Sequence, residues 1–191
     1  MTLAEHYIRG LYAGWRILWF DRSTIGFLET GGRSVLRSFM ALGIAVPLYL
    51  LTIYLVGLDS NAPSMARAPA WLLLVSYMAG WPIFGFLMFH LSGFLGVGQK
   101  FSGFITLFNW WRIYALLLVL PVNILMAYGL VPALGADVLL IATTGLVIVY
   151  KIFLVRVVLT TNYFQTALIV SLDIILFLIL EDSILIAFRP I

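Results

Sequence analysis

Five long apolar stretches, each almost free of charge, constrain this chain more than any other feature of its sequence. They cover about residues 35–57, 70–97, 112–131, 137–159 and 164–182. A helix needs roughly 20 mostly apolar residues to cross the hydrocarbon core of a bilayer. The chain is 63% hydrophobic and only 10% charged, whereas about a quarter of the residues in a soluble domain carry charge. The sequence therefore predicts an all-α fold, a polytopic transmembrane bundle of about five spans at 35–191.

The first 34 residues form a separate segment with a different pattern. Apolar and aromatic residues recur there at helical spacing, with arginines between them: Leu3, Tyr7, Leu11, Trp15, Leu18 and Trp19, interleaved with Arg9, Arg16 and Arg22. This pattern predicts an amphipathic helix lying in the membrane interface, with aromatic rings at headgroup level and arginines near phosphates. The alternative is a helix packed against the protein's own cytoplasmic ends. Both interpretations stay open from sequence.

Residues 99–111 form a second aromatic stretch, and Trp110-Trp111-Arg112 stands at its C-terminal end. Because Trp and Arg are enriched where a helix leaves the bilayer, we interpret this stretch as another surface helix. The alternative is an unusually long third span. The predicted interfacial anchors are Trp15, Arg16, Trp19, Trp110, Trp111 and Arg112.

The basic residues near the span ends predict the orientation of the chain. Five arginines precede or begin the first span, whereas the opposite side holds only Arg67 and Arg189. Since cytoplasmic ends are enriched in Lys and Arg, we expect the N-terminus in the cytoplasm and the C-terminus in the periplasm. Short loops and the absence of Cys favour a bacterial inner membrane.

Three ionisable residues fall inside predicted spans, where an unpaired charge costs several kcal/mol: His90, Lys151 and Asp173. Arg112 joins them if its span begins early. Lys151 and Asp173 lie at similar depths in two spans joined by a short loop, so we expect them to form an ion pair. This polar cluster either lines a pathway or fixes the register of two helices, and the sequence favours the structural role.

The sequence contains no motif of a known catalytic, metal or cofactor site. A P-loop, a His-Glu-x-x-His motif and a Gly-x-Ser-x-Gly elbow are all missing, and the chain has two histidines and no cysteine. We therefore expect no enzyme activity, no catalytic residue, no cofactor and no metal. The basic residues are not clustered, so we expect no nucleic-acid partner.

Two local stretches resemble the Yip1 family of five-span membrane proteins. Gly98-Gln99-Lys100-Phe101-Ser102, followed by a helix with Pro121, is similar to that family's loop and next helix. The segment from Tyr150 through Arg156 to Gln165-Thr166-Ala167 resembles its last hairpin. The resemblance implies a five-span fold over about residues 35–185. The cytoplasmic tail of eukaryotic members is missing, so their trafficking role is not implied.

Three functions agree with these observations. The first is a non-enzymatic accessory, scaffold or assembly subunit of a membrane complex, whose partners are the lipid bilayer and other subunits or itself. The second is a small oligomeric transporter or channel that uses His90, Lys151 and Asp173. The third is lipid handling through the N-terminal arginines. The sequence favours the first.

Overall fold

The computed structural model of the protein describes residues 3–27, 30–58 and 68–187, and within these ranges it is helical with no strand. The helices are α1 (Leu3–Leu18), α2 (Gly32–Ser38), α3 (Leu42–Leu58), α4 (Ala70–Phe94), α5 (Phe101–Ala127), α6 (Ala133–Leu159) and α7 (Tyr163–Ala187). Within the described ranges, three short 3-10 segments lie between the helices: Arg22–Phe27, Phe39–Ala41 and Gly98–Lys100.

Five helical segments are long and apolar enough to cross a membrane. They are Gly32–Leu58, which combines α2 and α3, then Ala70–Phe94, Gly98–Ala127, Leu134–Leu159 and Tyr163–Leu180. Large apolar side chains cover the outside of these helices; Ile141 is 72% exposed and Phe177 is 62% exposed. The protein is an integral membrane protein, and the predicted five-span helical fold is confirmed. Arg67 and Arg189, which entered the orientation argument, lie outside the described residues.

Residues 99–111 do not form a separate surface helix, so that prediction was wrong. Residues 101–111 belong to α5, which continues unbroken to Ala127, and Gln99 and Lys100 belong to the 3-10 segment before it. No helix-breaking residue interrupts this stretch, and every residue from Gly103 to Trp111 is buried. Burial on all sides by neighbouring helices explains why the stretch is aromatic throughout.

Helices α4 and α5 end three and four residues before the predicted ends of their spans, at Phe94 and Ala127. In each case a glycine in the left-handed region follows the helix: Gly96 has φ +72° and Gly129 has φ +60°. After α5, the amides of Gly129 and Leu130 donate to the carbonyls of Met126 and Leu125. These bonds satisfy the last free carbonyls of the helix, as in a Schellman motif.

The beginning of α7 is fixed by a reciprocal pair of hydrogen bonds. The Asn162 amide donates to Gln165 Oε1 at 3.2 Å, and the Gln165 amide donates to Asn162 Oδ1 at 2.8 Å. This is a capping box, which satisfies two amides that a helix start would leave free. The Lys100 ammonium also donates to Thr160 Oγ1, so the α4–α5 and α6–α7 loops meet at one end of the bundle. We call this the α1 end.

The first half of α5 is the centre of the bundle at the α1 end. Helices α1, α2, α3 and α6 all pack against α5. Buried polar groups join α5 to α2: Asn109 Nδ2 donates to Ser38 Oγ at 2.8 Å, and the hydroxyls of Ser34 and Thr106 are 3.1 Å apart. Hydrogen bonds of this kind between membrane helices stabilise their packing by about 0.6 kcal/mol each.

Helix α1 packs on α5 through its two glycines. A Cβ atom on Gly10 would lie 2.2 Å from the Trp110 ring, and one on Gly14 would lie 2.5 Å from the Tyr114 ring. The Tyr114 hydroxyl donates to the Leu11 carbonyl at 2.7 Å. The small-xxx-small spacing of Gly10 and Gly14 therefore allows two aromatic side chains to lie directly on the backbone of α1.

We expect Gly10→Ala to destabilise the protein by about 1–3 kcal/mol, because the fully buried Trp110 ring has no room to move away from the new methyl group. The matched control is Gly145→Ala in α6, where an added Cβ meets no atom within 4 Å. Thermal unfolding of both variants in detergent checks this. Equal midpoints for the two variants would contradict the close packing of α1 on α5.

Candidate functional site

The ion pair expected between Lys151 and Asp173 is present and is part of a larger cluster. Lys151 Nζ lies 2.5 Å from Asp173 Oδ2, and Arg112 Nη2 lies 3.6 Å from Asp173 Oδ1. Their side chains are only 11–20% exposed. We call Arg112, Lys151 and Asp173 the charged triad. It joins α5, α6 and α7 at one level.

The triad lies well inside the spans. Its members are eight to eleven residues from the α1-side ends of their helices. At 1.5 Å per residue this corresponds to a depth on the order of 12–17 Å. Removing an ion from water costs several kcal/mol at such a depth, so pairing is required. The triad has two positive charges and one negative charge, which leaves one positive charge in excess.

Arg112 is held mainly by aromatic rings. Its guanidinium carbon lies 4.8 Å from the centre of the Trp81 ring, 5.0 Å from Phe108 and 5.5 Å from Phe84. Cation–π contacts of this kind are worth about 0.5–2 kcal/mol each when desolvated. Arg112 Nη1 is buried and has no hydrogen-bond partner among the described residues. The guanidinium group therefore keeps one buried donor that the described residues do not satisfy.

A cavity of about 290 Å³ adjoins the triad. Its lining runs from Phe108 to Val119 along α5 and from Asp173 to Leu180 along α7, so most of it lies beyond the triad, away from the α1 end. Helix α4 contributes Tyr77 and Trp81, whose Oη and Nε1 atoms are buried and have no hydrogen-bond partner in the part of the chain that the structure describes. The remaining walls are mainly aliphatic and aromatic. The cavity thus combines an apolar body with a cationic floor.

The triad separates this cavity from a tightly packed region at the α1 end. Phe84, Met88, Phe104 and Leu107 are at most 1% exposed and belong to one hydrophobic core. The rings of Phe84 and Phe108 stack with their centres 4.6 Å apart. A solute in the cavity would therefore reach the triad from the far side, and packed side chains would stop it there.

His90 does not belong to the cluster, so its predicted place beside Lys151 and Asp173 was wrong. Helix α4 ends at Phe94, which puts His90 only one turn from the helix end. Its side chain is exposed and contacts the rings of Phe86 and Phe89. Among the described residues, no group of three His, Asp or Glu side chains could hold a metal ion.

The six predicted interfacial anchors fall into two groups. Trp15 and Trp19 are 46% and 67% exposed, and Arg16 pairs with Asp21 in the turn after α1. Trp110 and Trp111 are fully buried, and Arg112 belongs to the triad. The anchoring role of these last three was wrong, because α1, α2 and the other spans surround this part of α5.

From the sequence, Arg112 was expected in the polar cluster only if its span begins early, and it was assigned to the interfacial anchors. The signal was present, because Arg112 falls inside a span if the third helix begins near Lys100. The pattern Trp110-Trp111-Arg112 favoured the opposite interpretation. The cavity itself had no sequence signal, since its walls are ordinary apolar residues from four or more helices.

We expect Asp173→Asn to be the most damaging single substitution in the triad, at about 3–5 kcal/mol of unfolding free energy, because it leaves two buried cations without a counter-ion. Lys151→Met and Arg112→Gln each leave Asp173 paired with the one remaining cation. Each should lower the free energy of unfolding by about 1–3 kcal/mol. Unfolding of the three variants in detergent measures the order. If Lys151→Met is as damaging as Asp173→Asn, Arg112 does not share the carboxylate.

Comparisons with protein-family models, with curated proteins and with solved structures find no significant match to this chain. The resemblance to the Yip1 family therefore stays a prediction, which depends on the two local stretches quoted above.

Proposed function

We propose that this protein is a membrane transport protein that binds a small anion in the cavity beside the charged triad. The observation that carries this proposal is the imbalance of the triad, in which two cations share one carboxylate and Arg112 Nη1 has no hydrogen-bond partner within the described residues. Ionisable side chains in the bilayer that face a cavity are typical of substrate and ion pathways. A bound anion would neutralise the excess charge and accept the free hydrogen bond.

The position of the cavity supports transport rather than a purely structural role. A salt bridge that only fixes helix register needs no space beside it, whereas this triad forms the floor of a cavity of about 290 Å³. The packed core on the other side of the triad would block passage in this conformation. The arrangement agrees with one state of a carrier that exposes its site to one side at a time.

We further propose that the α1 end faces the cytoplasm of a bacterial cell. Among the described residues, this end has most of the basic side chains that lie near helix ends, including Arg33, Lys100 and Arg156. In this orientation the cavity lies on the periplasmic side of the triad. The site would then load an anion from the periplasm.

The predicted role as an accessory subunit stays a prediction. It requires that the chain be recovered in a stoichiometric ratio with other membrane subunits after gentle extraction. A chain recovered alone or as a homo-oligomer would favour the transport function. Native mass measurement with identification of co-purifying proteins distinguishes the two.

We expect the protein in proteoliposomes to give currents on a solid-supported membrane with at least one small anion among chloride, phosphate, acetate and hexanoate. Arg112→Gln should reduce the current at least tenfold, because it removes the excess charge and the free donor. The matched control is Arg156→Gln. Arg156 lies near the end of α6 over the Tyr163 ring, at 4.1 Å, and does not line the cavity.

Two results would contradict the transport function. One is the absence of any protein-dependent current across the anion panel. The other is an equal loss in Arg112→Gln and Arg156→Gln, which would assign the effect to surface charge rather than to the cavity.

A further inference from the structure

We infer that the ligand of this cavity is a small amphiphilic monoanion, with a carboxylate-like head on Arg112 and an apolar tail along the α5 and α7 walls. This inference rests on the proposed anion-binding function and names its substrate class. It follows from the charge of the cavity floor, the chemistry of the walls and the size of the space between them.

The charge of the floor selects a monoanion. Asp173 already neutralises Lys151 at 2.5 Å, so the charge left over is the single positive charge of Arg112. A dianion would bring one negative charge too many into a site that is largely shielded from water. Arg112 lines the cavity, and guanidinium groups bind planar carboxylates well.

The walls select an apolar body. Beyond Arg112, the α5 face of the cavity continues with Ala115, Leu116 and Val119, and the α7 face continues with Leu176 and Leu180. Among the residues that the structure describes, no charged side chain lines the cavity outside the triad. A small hydrophilic anion would leave these walls without a partner, whereas each buried methylene of a tail is favourable by the hydrophobic effect.

The volume of the cavity sets how much of an amphiphile it can hold. Its volume of about 290 Å³ lies at the lower end of ligand pockets, which begin at roughly 300 Å³. Helices α4 and α7 lie close together at Gly80, since an added Cβ there would lie 3.2 Å from Leu180. At about 30 Å³ per water-sized group, the space holds on the order of ten non-hydrogen atoms. A carboxylate with a tail of about five to seven carbons has this size.

The test is calorimetric titration of the full-length protein in nanodiscs of neutral lipid, with empty nanodiscs as the blank for partitioning. The probes are hexanoate, acetate, 1-hexanol and hexylamine. We expect hexanoate to bind at least tenfold more tightly than acetate, which lacks the tail, and than 1-hexanol, which lacks the charge. Hexylamine should not bind, because its charge repeats that of Arg112.

Two variants examine head and tail separately. Arg112→Gln should weaken hexanoate binding at least tenfold by removing the head contact. Ala115→Phe should weaken it similarly by filling the cavity without changing any charge. The matched control is Leu117→Phe, which adds an aromatic ring to the exposed side of the same helix and should change the affinity less than twofold.

The source of the amphiphile is examined in nanodiscs that contain phosphatidylglycerol. A tenfold weaker apparent affinity for hexanoate would support the anionic amphiphile and identify a bilayer lipid as the competing occupant. An unchanged affinity would support a free acid as the ligand.

The outcomes separate this inference from the function on which it rests. Equal affinities for acetate and hexanoate, both lost in Arg112→Gln, would overturn the amphiphile and leave the small-anion function standing. Equal affinities for hexanoate and 1-hexanol, both unchanged in Arg112→Gln, would overturn both. Absence of binding by every probe would also overturn both.

Discussion

The carboxylate of Asp173 is the interaction on which the arrangement of the spans depends. In hydrocarbon neither Lys151 nor Arg112 can remain charged without it, so three helices must meet where their side chains can reach one another. Apolar helices in a bilayer otherwise have no hydrophobic force to choose one neighbour over another. The triad therefore fixes the relative depth of α5, α6 and α7 in the membrane and the rotation of each about its own axis. Their apolar surfaces do not specify either.

Close packing at the α1 end determines how the triad is enclosed. The glycines of α1 allow Trp110 and Tyr114 to lie against its backbone, and the Tyr150 hydroxyl donates to the Leu18 carbonyl at 3.2 Å. These contacts bring α1 across α5 and α6 on the side opposite the cavity. Helix α1, whose amphipathic sequence is typical of a membrane-surface helix, thus also forms part of the core around the site. Its exposed Trp15 and Trp19 leave a second face for the lipid interface.

The sequence predicted the number of spans because hydropathy is a local property. Each span needs only its own residues to be recognised, and short linkers with turn-forming residues separate the spans. The pairing of Lys151 with Asp173 was also predictable, because depth along two adjacent spans can be counted. The rotation of each helix about its own axis could not be predicted in this way. Helix α4 is apolar on all sides, so nothing in its pattern indicated that His90 faces outward while Trp81 faces Arg112.

The interpretation of residues 99–112 was wrong for a related reason. Aromatic residues beside an arginine are typical of the membrane interface, and the same composition suits a helix buried among other helices with one compensated charge. The two cases differ only in what surrounds the helix, which is a tertiary property. Here α1 and α2 cover the first half of α5, so Trp110 and Trp111 are core residues. Arg112 then needs a carboxylate and aromatic rings inside the protein to stabilise its charge. The same burial that removed it from the lipid surface placed its side chain beside the cavity.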